Sequence, residues 1–144
     1  MEYNDTIKLL RECDAGTKMA VSSIDEVVEK VCDSELRNIL KASKDQHEKL
    51  EKEIRILLNE YGVQEKEPGT VAKGMSWMKT NMKMGMNNSD ATVADLIIDG
   101  CNMGIKSLNK YLNQYKNAGE TSKKIAGKLI SLEEKLEKDL RGYL

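Results

Sequence analysis

The chain has 144 residues, in which 23 Lys and Arg face 24 Asp and Glu for a formal net charge of −1, with the two signs interspersed rather than gathered in blocks. Such a balance gives no electrostatic argument for nucleic acid or for an anionic membrane surface. Three cysteines, odd in number and without a CxxC or zinc spacing, argue against a disulfide scaffold or a zinc site.

Aromatic residues make up only 4%, with one Pro and no Phe, so helix formers dominate and an all-α class is expected. A single domain of this length buries about two-thirds of its unfolded surface and needs no metal or disulfide to fold. No stretch approaches the roughly 18 apolar residues of a membrane span, and Met1-Glu2-Tyr3-Asn4-Asp5 carries no basic region followed by an apolar run. The expectation is a cytoplasmic protein, neither secreted nor membrane-spanning, with Cys13, Cys32 and Cys101 as reduced, packed thiols.

The first helix is predicted over about residues 4–31, capped by Asn4 or Asp5. Its stripe runs Ile7, Leu10, Asp14, Thr17, Val21, Ile24, Val28, Val31 at steps of three and four, interrupted by two polar residues near the middle. The pattern lapses at Cys32-Asp33-Ser34-Glu35, where Asp33 or Ser34 can cap a new helix, and so short a reversal makes antiparallel neighbours. The second helix, 34–61, carries Leu36, Leu40, Ser43, His47, Leu50, Ile54, Leu57 and Tyr61 on its inner stripe. Gly62 follows as a left-handed terminator. His47 is the only histidine, and a lone imidazole on a core-facing stripe asks for a partner.

Residues 63–69 hold the only proline, Pro68, and read as a connection; a shorter helix is predicted over about 70–86, on Val71, Met75, Met78 and Met82 with Trp77 beside them. Such a segment is long enough to travel from one end of a bundle to the other. Asn87-Asn88-Ser89-Asp90 is a turn and cap cluster, and the third long helix, 90–116, follows with Ala94, Ile97, Cys101, Gly104, Leu108, Leu112 and Tyr115 inward. Asn117-Ala118-Gly119 closes it. Thr121 or Ser122 is the expected cap of the fourth, 121–143, whose stripe is Ala126, Leu129, Glu133, Leu136, Leu140 and Tyr143.

The two halves repeat. Glu134-Lys-Leu-Glu-Lys-Asp-Leu-Arg141 nearly restates Glu48-Lys-Leu-Glu-Lys-Glu-Ile-Arg55, and Cys13-x-x-Gly16-x-Lys18 recurs as Cys101-x-x-Gly104-x-Lys106. On this pairing His47 corresponds to Glu133, which brings two polar residues to one height of the core. A duplicated helical hairpin with a long crossover resembles the ferritin-like superfamily. The order Leu10-Arg-Glu-Cys-Asp-Ala-Gly16, a long second helix, a helical crossover and a second Cys-x-x-Gly is similar to a bacterial ferritin-like family of uncharacterised function. The resemblance covers nearly the whole chain and implies one four-helix domain over 1–144, up-down-down-up or up-down-up-down, with the crossover between helices two and three.

Carboxylate-bridged dinuclear iron or manganese bundles take a glutamate from each of two helices and a Glu-x-x-His from each of the other two. That pattern fails here, because Lys44 stands three residues before His47, the fourth helix has no histidine, and Gly16 and Gly104 are followed by Thr17 and Ile105 rather than by acids. Asp14, His47 and Glu133 remain, flanked by Glu12 and Asp99: three candidate ligands for one ion, or a buried hydrogen-bonded cluster that fixes which helix faces which. Met82-Lys-Met84-Gly-Met86 has a composition that monovalent copper favours, although helix spacing at Met75, Met78 and Met82 suits an apolar surface laid over the bundle or against a second copy. No phosphate loop or nucleophile with a matched base is present, and Lys18 and Lys106 read as solvated flanks. The expected function is a non-enzymatic structural or interaction protein with a degenerate metal centre, a homodimer that binds neither nucleic acid nor membrane and needs no cofactor; the alternative is an iron or manganese storage or redox protein.

Overall fold

Stripes at steps of three and four demand helices, and the computed structural model, which describes residues 2–63 and 89–144, is helical throughout. α1 is Glu2–Val28, α2 Ser34–Glu60, α3 Asp90–Gln114 and α4 Glu120–Leu140, with a terminal 3-10 turn at Arg141–Tyr143. No strand occurs among the described residues. The expected crossover helix over 70–86 lies outside them, as does the methionine run.

Several helix ends are set by the residues the sequence nominated. Asp33 accepts the Leu36 amide at 2.8 Å to start α2, and Ser89 accepts the Thr92 amide at 3.2 Å to start α3. Gly62 has φ of +71°, the left-handed conformation that ends α2 without a Cβ clash.

Other ends correct the expectation. α1 already begins at Glu2, so Asn4 and Asp5 do not cap it, and it stops at Val28 rather than at 31. The short polar side chains near its start serve a distant turn instead: Asp5 accepts the Asn117 amide at 3.2 Å and Thr6 the Gly119 amide at 2.7 Å. Gly119, not Thr121 or Ser122, is the extended residue ahead of α4, because both of those already lie inside its first turn. Ser122 there donates to the Gly119 carbonyl at 2.6 Å.

These ties fix the helix directions. The start of α1 meets the α3–α4 turn through Asp5 and Thr6, and meets the end of α2 where the Tyr3 hydroxyl donates to the Tyr61 carbonyl at 3.3 Å. At the opposite end, Asp90 at the head of α3 accepts the amides of Cys32 and Asp33, each at 2.9 Å. The order is therefore up-down-down-up, and the chain between α2 and α3 joins opposite ends of the bundle. α1 packs on α2, α3 and α4, while α2 and α3 stand across a diagonal.

The core divides in two. One apolar cluster holds Ile24, Val27, Leu36, Leu40, Ile97 and Leu140, and the other holds Leu9, Leu10, Ile54, Leu108, Ala126 and Leu129. Between them lie buried Asp14, Thr17, Ser43, His47 and Glu133. The α2 stripe follows expectation through Ile54 and then passes to Leu58, leaving Leu57 half-buried and Tyr61 exposed, since a helix of 3.6 residues per turn drifts off an alternating three-and-four register. Ile7 and Val21 of the α1 stripe are only partly buried for the same reason. Cys32 is exposed, because it falls in the turn beyond α1; only Cys13 and Cys101 are the packed thiols anticipated for all three.

Candidate functional site: the buried polar layer

On α2, the helical rise sets each side chain above the carbonyl one turn earlier, and His47 uses that geometry. Its Nδ1–H donates to the Ser43 carbonyl at 2.8 Å, with the Ser43 hydroxyl 3.3 Å away. The tautomer follows from this network, since a carbonyl can only accept. The second nitrogen, Nε2, is thereby aimed across the core at Oε1 of Glu133 on α4, 3.4 Å distant. This is an ion-pair contact rather than a hydrogen bond, and Nε2 makes no hydrogen bond of good geometry.

His47 is wholly buried and Glu133 is 7% exposed. Burial works against the imidazolium and would lower the His47 pKa; the Glu133 carboxylate and the Ser43 carbonyl outweigh it, so the pKa lies above the ordinary 6.5. Cys101 on α3 is buried in the same layer, and burial first, then the Glu133 carboxylate, pushes its thiol well up. Burial, with Glu12 and Asp14 adding to it, takes Cys13 to about 12. Neither thiol is a nucleophile near neutral pH.

Asp14 is fully buried on α1, where its Oδ2 meets Nζ of Lys18 at 3.0 Å and its carbonyl accepts the Thr17 hydroxyl at 2.8 Å. Lys18, anticipated as a solvated flank, is instead four-fifths buried in this ion pair; Lys106 at the equivalent place on α3 is exposed. Of the three residues singled out in the sequence, then, all are buried and the structure joins His47 to Glu133, while Asp14 is held by its own helix. Among the described residues, no three His, Cys, Asp or Glu side chains are gathered so as to hold a metal ion.

The sequence reading missed a cleft of about 430 Å³ between α1 and α3. Ala15, Gly16 and Ala20 form one wall and Gly100, Gly104 and Ser107 the other, with Glu133 and Cys101 also lining it. A Cβ on Gly104 would sit 3.6 Å from the Glu133 carboxylate, so this glycine leaves the acid accessible from the cleft. The signal for it in the sequence is the pair of Cys-x-x-Gly motifs, which place Gly16 and Gly104 on facing helices.

No described helix is long and apolar enough to cross a membrane. Compared with protein-family models, with curated proteins and with solved structures, the chain finds no match in any of the three.

Proposed function

We propose that the chain is a non-enzymatic ferritin-like bundle with a structural or interaction role, in which the position of a metal centre is taken by a register-setting ion pair. The single observation that carries this reading is the pairing of His47 with Glu133 at 3.4 Å, one imidazole against one carboxylate, in a layer where the other imidazole nitrogen is committed to a backbone carbonyl. A dinuclear carboxylate site calls for six inward ligands, and the layer offers two that face each other. The up-down-down-up order, with an end-to-end connection between α2 and α3, supports the ferritin-like assignment. A buried polar pair between two apolar clusters fixes helix register at some cost in stability.

The alternative, an iron or manganese storage or redox protein, draws support from the unbonded Nε2 of His47 beside a carboxylate oxygen. Native mass spectrometry with elemental analysis, after expression in medium supplemented with both metals, separates the two. The proposal expects no stoichiometric metal; one retained equivalent of iron or manganese, lost in His47→Gln, establishes the alternative. A cytoplasmic homodimer belongs to the same reading, and sedimentation equilibrium tests the dimer.

A further inference from the structure

The cleft between α1 and α3 has walls of small residues, with apolar Met19, Ile97, Leu108 and Leu129 around them. Two charged side chains line it, Glu12 and Glu133, and both are acidic. Glu133 is more than nine-tenths buried, yet Gly104 leaves its carboxylate facing the space. An ionised carboxylate accepts about four hydrogen bonds. His47 and Cys101 approach Glu133 from the core side, so accepting capacity remains for a donor entering from the cleft. Glu12, whose charge helps to raise the Tyr111 pKa after burial, adds a second acidic group. An apolar cleft with a few convergent polar groups is the usual form of a small-molecule site.

We propose that this cleft binds a small hydrophobic amine, its alkyl or aryl body between α1 and α3 and its ammonium group on Glu133. A carboxylate head would meet two like charges, and a neutral head would forgo the charge-assisted contact, so the sign of the lining selects the cation. The inference rests on the non-enzymatic reading in one respect, that Glu133 is the carboxylate partner of His47, with accepting positions left over on the cleft side, and not a metal ligand. Metal analysis tests that reading, and the titration below tests this one on its own.

The experiment titrates the full chain with n-decylamine, n-decanol and n-decanoate at neutral pH, below their aggregation limits, by calorimetry and amide shift mapping. Decylamine is expected to bind at one equivalent, with shifts centred on Gly16, Gly104 and Glu133, and at least about tenfold more tightly than decanol or decanoate, as a hydrogen bond to a charged group implies. Glu133→Gln is expected to lower decylamine affinity to about that of decanol for the same variant. Gly104→Leu fills the cleft from an α3 position with room for a Cβ, and is expected to abolish binding of both ligands while the thermal transition persists. Decanoate binding as tight as decylamine, an amine preference that survives Glu133→Gln, shifts centred elsewhere, or no binding at all would each overturn the proposal.

Discussion

The α1–α2 hairpin and the α3–α4 hairpin are built on one pattern, and they differ at the central pair where they meet. Cys13 and Cys101 are both buried, and Gly16 and Gly104 both line the cleft. The equivalent His47 and Glu133 face each other at 3.4 Å. Residues that correspond in a repeat and also meet in space lie beside the axis that relates the halves. At such a place identical residues would set like against like, whereas one basic and one acidic group make a complementary contact. Asymmetry at the centre is therefore what lets two similar hairpins close around a polar layer.

The most direct way to break that comparison is to make the halves alike. His47→Glu sets two buried carboxylates together, and urea unfolding at pH 7 is expected to show a loss of about 3–5 kcal/mol, the usual cost of breaking a buried ion pair. The exchange His47→Glu with Glu133→His is expected to recover more than half of that loss, since an imidazole on α4 finds the Leu129 carbonyl one turn earlier just as His47 finds that of Ser43. A swap no more stable than the single variant would remove the idea of equivalent positions.

A smaller effect reads the charge on the pair. The folded-state pKa of His47 lies above 6.5, so its contribution is fully present below the unfolded value near 6.5 and is lost as pH rises through the folded value. The thermal midpoint is expected to fall between pH 6 and pH 8, and the fall to flatten in His47→Gln. An unchanged slope in that variant would assign the dependence to other groups.

The least perturbing test compares the cysteines. Cys32 lies exposed between α1 and α2, while burial keeps Cys13 and Cys101 from forming thiolates. A thiol reagent at neutral pH is expected to label Cys32 alone in the native protein and all three residues in urea. Cys32→Ser should leave the midpoint essentially unmoved.

The polar residues of the core were legible because they broke apolar stripes: Asp14 in α1, His47 in α2 and Glu133 in α4 each stood at an inward step. Periodicity says which way a residue faces but not what it meets. Asp14 turned to Lys18 on its own helix and not to His47, a choice between two inward directions that spacing does not make. The cleft was invisible for a different reason. Glycines on facing helices permit either close approach or open space, and only the distance between the helix backbones decides which.

From the residues alone came four long helices, the complementary identities at positions 47 and 133, and the glycine that ends α2, because these depend on local periodicity and backbone freedom. Tertiary structure decided the helix directions, through Asp90 reaching back to the α1–α2 turn and Thr6 to the α3–α4 turn. It also decided that the acid of the central layer faces a cleft as well as a histidine. Contacts between residues 57 to 113 positions apart are set by how whole helices pack, and no local pattern encodes them.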